Sequence, residues 1–130
     1  MRYALLIYSP PVTEQPSQEM TDAVMVEYNA FTRDIVEAGA MRGGEALEDA
    51  KTATTVRVRD GQTLVTDGPF AETKEEFGGF YLVEAANVDE AIKWAARIPA
   101  AKHGSVEVRP IWEIPGGVEG AAATEGAAAG

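Results

Sequence analysis

Residues 2–8 (RYALLIY) form a nearly unbroken apolar run that ends at Ser9-Pro10-Pro11. A run this short and this apolar, closed by prolines, is typical of a central β-strand. Its large side chains would point to both faces of a sheet, because successive residues of a strand alternate in direction. Residues 77–85 (FGGFYLVEA) have the same character. The chain is therefore expected to build a sheet that needs cover on both of its faces.

Two helices are predicted from apolar residues that recur three and four positions apart. The first follows a polar loop over residues 12–18 and ends at Gly39, which is a usual stop signal. The second begins at Asn87, with Glu90 at the capping-box position, and ends at Pro99. The expected inner stripes are Met20, Val24, Tyr28, Phe31, Ile35 and Ala38 in the first helix, and Val88, Ala91, Ile92, Ala95 and Ile98 in the second.

The other β signals lie between the two helices and near the carboxyl end. A short apolar piece, residues 46–47, comes before residues 54–66, in which two β-prone runs flank Asp60-Gly61. Because Asp-Gly tolerates positive φ angles, this pattern predicts a hairpin with a type I′ turn. Residues 106–114 alternate and predict a last strand, in which Arg109-Pro110 indicates an edge position or a bulge.

The order strand, helix, two or three strands, helix, strand is that of a ferredoxin-like, split βαβ fold of the α+β class. Its antiparallel sheet would carry both helices on one face, and the other face would be too apolar for a monomer. We therefore expect a homodimer that closes two sheets into an α+β barrel. Residues 1–115 form this domain, in which Trp94 and Trp112 are expected to pack. Residues 116–130, rich in Gly and Ala, are expected to form a disordered tail.

Composition excludes several classes of function. The chain has 11 Lys and Arg against 21 Asp and Glu, and the net charge of −10 disfavours direct contact with nucleic acid or anionic lipid. It has no Cys and one His, so neither thiolate nor histidine-rich metal centres are expected. No apolar run approaches the about 20 residues of a membrane span, and no cleavable leader pattern is present. A cytoplasmic protein without a metal or a cofactor is the resulting expectation.

Residues 67–76 (DGPFAETKEE) form a charged insert with a rigid Gly-Pro unit between two predicted strands. Inserts of this kind hold polar side chains at the end of a sheet, which suits a cleft for a small polar ligand. A purely structural interpretation is also open, since Asp67 favours a turn, Pro69 fixes φ and residues 73–76 have capping-box spacing. Consecutive acids such as those at 72, 75 and 76 are more often solvated than bound to a metal.

His103 is the natural candidate for proton transfer, because histidine is the side chain whose ordinary pKa lies near neutrality. Asp67 or Glu75 could orient it or replace it as the catalytic group if the insert folds over the same cleft. The alternative is that His103 is a solvated or backbone-bonded loop residue, as most lone loop histidines are.

Four further residues are candidates for ligand binding. Lys74 and Arg109 could hold an anionic ligand, although Arg109 could instead pair across the sheet with an acid such as Glu84. Tyr8 and Tyr28 could present hydroxyls to a pocket, or could pack in the core, as aromatic residues at helix and strand spacing usually do.

The motif Asp67-Gly68-Pro69-Phe70, with Gly78-Gly79-Phe80-Tyr81 after it, resembles the DGPF subgroup of the YCII-related proteins. Residues 1–7, 91–99 and 104–110 also match that subgroup in the same order, so the resemblance covers about residues 1–114. It implies a ferredoxin-like, dimeric α+β-barrel fold and no settled activity. Some members are linked by gene neighbourhood or fusion to extracytoplasmic-function sigma factors.

One departure from the wider YCII group limits what the resemblance implies. That group is thought to use a His–Asp pair with the histidine on the first helix, and the corresponding position, counted back from Gly39, is Tyr28. His–Asp chemistry is therefore not carried over. The leading hypothesis is a homodimer with a polar-ligand cleft that binds or transforms a small molecule without a cofactor. A regulatory partner of a sigma factor is the alternative, and a cofactor-free monooxygenase is supported only by analogy of fold.

Overall fold

The computed structural model describes residues 1–11 and 16–116. Most of the predicted loop, at 12–15, and the predicted tail, at 117–130, lie outside the described residues. The described residues contain β1 (Arg2–Ser9), α1 (Gln18–Glu37), β2 (Met41–Ala46), β3 (Thr54–Arg59), β4 (Gln62–Asp67), β5 (Glu76–Glu84), α2 (Val88–Arg97) and β6 (Ser105–Pro110). Short 3₁₀ turns cover Ala50–Thr52 and Pro99–Lys102. Neither helix is long and apolar enough to cross a membrane.

The strands form a four-stranded sheet in the order β2-β5-β1-β6, and β3 pairs only with β4 in a separate two-stranded ribbon. Every pair in the larger sheet is antiparallel. The predicted α+β fold, with an antiparallel sheet and two helices, is confirmed. So is the edge position of the last strand, although β6 ends at Pro110 rather than continuing to residue 114.

One face of the four-stranded sheet carries the core. Tyr3 and Leu5 of β1 and Val83 of β5 are buried there beneath both helices. Phe31 of α1 sits at the centre, with its ring 5.1 Å from the ring of Tyr81 and 6.2 Å from that of Trp94 in edge-to-face arrangements. The expected packing of Trp94 is thus confirmed, and these aromatic pairs fix α1 and α2 against the sheet.

The opposite face of the sheet is apolar as well. Leu6 of β1 lies opposite Phe80 of β5, and Ala4 lies opposite Leu82 in the next cross-strand pair on that face. All four side chains remain partly exposed. The sheet therefore has the two apolar faces that the sequence predicts, and the chain's own helices bury one of them.

Several predicted inner residues of both helices are exposed instead. Met20 is 63% exposed and Val24 is 40% exposed, and every residue of α1 before Tyr28 is exposed. Val88 and Ile92 of α2 are exposed in the same way, at 45% and 49%. The expected packing of Trp112 is also wrong, since the strand has ended at Pro110 and its indole is 78% exposed.

Local signals set the ends of the elements. Ser17 caps α1 by accepting a hydrogen bond from the Met20 amide at 3.2 Å, and Asn87 caps α2 through the Glu90 amide at 3.0 Å. Asp60 and Gly61 have φ angles of 52° and 75°, which confirms the type I′ turn of the predicted β3–β4 hairpin. Asp60 can occupy the left-handed region because its short polar side chain tolerates that conformation.

Candidate functional site

A cleft of about 670 Å³ lies where the predicted insert meets the segment after β2. One wall is formed by residues 47–55 and the other by residues 69–77, while Tyr8 reaches the cleft from the end of β1. This volume is within the usual range for small-molecule sites. The insert predicted as a ligand site therefore does border a cleft.

Hydrogen bonds at the base of the β3–β4 hairpin hold the two walls together. The Gly68 amide donates to the Ala53 carbonyl at 2.7 Å, and the Thr55 hydroxyl donates to the Gly68 carbonyl at 2.8 Å. Gly68 can take its φ of 94° because it has no Cβ. In the first wall, the Asp49 carboxylate caps the 3₁₀ turn through the Lys51 amide at 2.9 Å. The cleft is thus bounded by two hydrogen-bonded loops that are joined to each other.

Glu75 is fixed by contacts from two directions. The Ser105 hydroxyl donates to its Oε1 at 2.7 Å, and the Thr73 hydroxyl donates to its backbone carbonyl. Gly104 lies beside it, where a Cβ would come 2.1 Å from the Tyr8 carbonyl oxygen and 3.0 Å from Glu75 Oε2. Only glycine fits this position without movement of the backbone. The end of β1, the start of β6 and the insert therefore meet at the Glu75 carboxylate.

Aromatic rings form another part of the lining. The rings of Tyr8 and Phe77 lie 5.5 Å apart in a tilted arrangement, and both side chains border the cleft. The Tyr8 hydroxyl donates to Glu107 Oε1 at 3.5 Å. Phe70, which is 77% exposed, borders the other side of the opening. The cleft thus offers apolar ring faces beside polar groups.

The charged groups that line the cleft are all acidic. They are the carboxylates of Glu48, Asp49, Glu75 and Glu76. Within residues 1–11 and 16–116, no Lys, Arg or His lines it. These acids are spread along the walls. Among the residues that the structure describes, no group of three or more His, Cys, Asp or Glu is placed to hold a metal ion. Carboxylates in a lining favour cations over anions.

The structure separates the three residues proposed for catalysis. Glu75 lines the cleft, as described above. Asp67 is the last residue of β4, pairs with Thr54 and is exposed outside the lining. His103 is exposed at the end of the second 3₁₀ turn, where its amide donates to the Ala100 carbonyl at 3.1 Å. It reaches the site only through its neighbour Gly104, which packs against Glu75.

The four residues proposed for ligand binding are also divided. Tyr8 lines the cleft, whereas Lys74 is exposed beside it and does not. Arg109 is exposed on β6 opposite Ala4. Its alternative pairing with Glu84 is wrong, because β1 lies between the two strands and the Glu84 carboxylate instead pairs with the amino terminus at 2.9 Å.

Tyr28 lies elsewhere, in a pocket of about 470 Å³ between α1 and the sheet. It shares this pocket with Met25, Tyr81 and the glycines of β5. Burial raises the pKa of the Tyr28 hydroxyl, and it raises the pKa of Tyr81 as well. Both phenols therefore remain protonated at neutral pH.

The sequence pattern does not identify Ser105 or the pair Glu48-Asp49 as part of the site. The acidic pair directly follows the short apolar piece at 46–47, and an acid in that position is a usual turn signal. Ser105 lacks any local motif. Its role depends on the pairing of β6 with β1, which brings Ser105 opposite Tyr8.

Comparison with known proteins gives a consistent result. A family model described as the YCII-related domain matches residues 1–115. An uncharacterized protein of Rhizobium meliloti (strain 1021) is 43% identical to the chain over an alignment of 114 positions, and the alignment covers 85% of this chain and 92% of that protein. The match extends over all the strands and helices described above.

Proposed function

The chain belongs to the YCII-related family, and from this premise we propose that it binds a small organic cation with an apolar part in the cleft beside residues 67–77. The observation that carries this proposal is the lining itself, in which every charged group is a carboxylate. The sequence suggests an anionic ligand because of Lys74 and Arg109, but neither side chain borders the cleft. The charge of the lining therefore supports a cation.

The aromatic residues support the apolar part of the proposed ligand. Tyr8 and Phe77 present ring faces next to the carboxylate of Glu75. Aromatic faces attract cations and also bury apolar groups. A ligand with an ammonium group attached to a ring or an alkyl chain would use both surfaces at once.

We assign Glu75 the central role in binding. Of the four lining carboxylates, it is the one fixed by a side-chain hydroxyl, that of Ser105. Such fixing lowers the conformational entropy lost when a ligand binds. The exposed His103 does not line the cleft, and the role we propose for Glu75 there is to bind the cation.

The proposal includes a homodimer of the DGPF subgroup. The motif at Asp67-Gly68-Pro69-Phe70 supports the subgroup, and the partly exposed face at Leu6, Phe80 and Leu82 supports face-to-face pairing of two sheets. The regulatory role beside a sigma factor stays a prediction from the resemblance.

Titration with phenethylammonium, followed by NMR of the amide signals, tests the site. Signals from residues 47–55 and 69–77 are expected to shift in a saturable manner. The variant Glu75→Gln should weaken binding, whereas Glu72→Gln should not, because Glu72 is an exposed acid of the same loop outside the lining. Equal behaviour of the two variants, or shifts confined to other surfaces, would contradict the proposal.

A further inference from the structure

The sheet face that the helices leave uncovered carries its apolar side chains in two neighbouring rows that run across the strands. Ala4 of β1 lies opposite Leu82 of β5 in the first row, and Leu6 lies opposite Phe80 in the second. Opposed residues of an antiparallel pair point to the same side of a sheet, so these four side chains stand together. We call the surface that contains the two rows the outer face.

The strand register adds one charge of each sign to the edge of the outer face. On β6, Arg109 lies opposite Ala4 and Glu107 lies opposite Leu6, so each row ends in one of these charged residues. Both are exposed. In the part of the chain that the structure describes, neither of them forms an ion pair, and Glu107 accepts a hydrogen bond from the Tyr8 hydroxyl at 3.5 Å. The described residues therefore leave both charges without a charged partner.

The outer face is complementary to itself. When two outer faces pack together about a twofold axis perpendicular to the strands, each strand lies over its own copy and the two rows exchange places. The row of Arg109 then faces the partner's row of Glu107, and the reverse contact is identical. In the centre, the small side chain of Ala4 faces the larger side chain of Leu6, which favours close packing of the two layers. The charges and the side-chain sizes both fit a second copy of this chain.

The other aligned orientation, with the twofold axis parallel to the strands, fits less well. It would leave each row facing the same row of the partner and would place β6 over the partner's β2. Glu107 would then face Glu45, which is the β2 residue of its row, and Arg109 would face Gly43. Like charges that face each other across an interface are unfavourable, and each arginine would lack an acid. The charges therefore favour the perpendicular axis.

We propose that two copies of this chain pack outer face to outer face about the perpendicular axis, and that Arg109 of each copy forms an ion pair with Glu107 of the other. The inference rests on the homodimer that is part of the proposed function, but it does not depend on ligand binding. Aligned sheets cross at about 30°, and the stem of an arginine is long enough to bridge the resulting offset at an edge strand. The two ion pairs would select this orientation over the alternative.

Charge reversal tests the two ion pairs. Arg109→Glu would place two carboxylates at each pair, and Glu107→Arg would place two guanidinium groups there. Each variant should raise the dimer dissociation constant about tenfold or more in sedimentation experiments. The double variant, Arg109→Glu with Glu107→Arg, restores unlike charges at both pairs, and its dissociation constant should return to within about threefold of the parent value.

Lys93→Glu is the matched control, because it makes the same change of charge at an exposed residue of α2, outside the outer face. Its dissociation constant should stay close to that of the parent chain. Circular dichroism spectra of all the variants should match the parent spectrum, since the substituted side chains are exposed.

Three results would overturn the inference. If the double variant dimerises as weakly as the single variants, Arg109 and Glu107 do not pair with each other. If Glu107→Arg dimerises more tightly than the parent chain, Glu107 faces Glu45 and the axis is parallel to the strands. If both single variants behave as the control does, the copies meet without these charges and the homodimer alone remains. A parent chain that is monomeric at all concentrations would contradict the homodimer as well as the inference.

Discussion

The hydroxyl of Ser105 donates a hydrogen bond to Oε1 of Glu75 at 2.7 Å, which joins the first residue of β6 to the loop before β5. The two residues are 30 positions apart in the sequence. They meet because β6 pairs with β1 and brings Ser105 beside the end of that strand. The central strand thus determines where the carboxylate of the cleft is held.

Removal of this bond should weaken ligand binding. In Ser105→Ala, the Glu75 side chain must become ordered when the cation binds, which costs about 0.5–1.5 kcal/mol. The affinity for phenethylammonium should fall about two- to tenfold in calorimetric titrations. Ser9→Ala, a change in the Tyr28 pocket, serves as the control and should leave the affinity unchanged. Equal losses in the two variants would contradict the role of Ser105.

The packing of Gly104 makes a prediction for stability. In Gly104→Ala, the new methyl group would meet the Tyr8 carbonyl at 2.1 Å, so the backbone must move. The free energy of unfolding should fall by about 1–3 kcal/mol, as for other overpacked sites. Gly78→Ala is the matched control, because a Cβ there has no neighbour within 4 Å. If urea denaturation shows equal losses of unfolding free energy for both variants, the clash at residue 104 is not the cause.

The ion pair between Asp34 of α1 and Arg97 of α2 predicts that the stability of the fold depends on pH. The hydrogen bond from Arg97 and the charge of that guanidinium hold the pKa of Asp34 below its usual value of 3.8. A carboxylate with a lowered folded-state pKa stabilises the protein above pH 3.8, and this stabilisation is lost as the pH falls through the folded-state pKa.

Asp34→Asn should therefore reduce the melting temperature at neutral pH and make the acid-side decline shallower. The loss should be small, since both side chains are partly exposed. Asp22→Asn, another exposed α1 acid, should leave the acid-side decline as in the parent chain. If the melting temperatures of the parent chain and of Asp34→Asn fall equally as the pH is lowered, the ion pair does not contribute to the pH dependence.

The apolar sheet face that the helices leave uncovered predicts how one added charge affects dimer formation. Leu6→Glu places a carboxylate at the centre of that face, and burial of an unpaired charge there would disfavour dimerisation. Analytical ultracentrifugation should show a folded monomer. Val36→Glu, at a residue of α1 that is 55% exposed, should sediment as the parent chain does. A Leu6→Glu protein that remains dimeric would show that the copies meet elsewhere.

The parts of the fold that follow from local signals are predictable from the sequence. The Asn87 cap, the Asp60-Gly61 turn and the stripe at Phe31 and Ile35 all agree with the sequence pattern. Each depends on residues close together in the chain. Local periodicity does not show which part of a helical stripe the rest of the fold covers, and for that reason the pattern wrongly assigns Met20 and Val24 to the core.

β2 shows why other parts could not be predicted. This strand contains Gly43 and Gly44, with φ angles of 155° and 157°, where pattern rules expect β-branched or aromatic residues. A Cβ on Gly44 would come 2.6 Å from the Phe80 carbonyl oxygen, so glycine allows β2 to approach β5. Glycine is needed at this position because of a contact with β5, which is distant in the sequence. Rules that use only neighbouring residues cannot predict that contact. The acidic lining of the cleft depends on the same kind of distant contact.

Calorimetric titration with a pair of ligands of opposite charge distinguishes a cation-binding cleft from an anion-binding one. Phenethylammonium and phenylacetate share a phenyl ring and differ in the sign of the terminal charge. The carboxylate lining predicts that phenethylammonium binds at least about tenfold more tightly, and that added salt reduces its affinity. Equal affinities, or tighter binding of phenylacetate, would contradict the account.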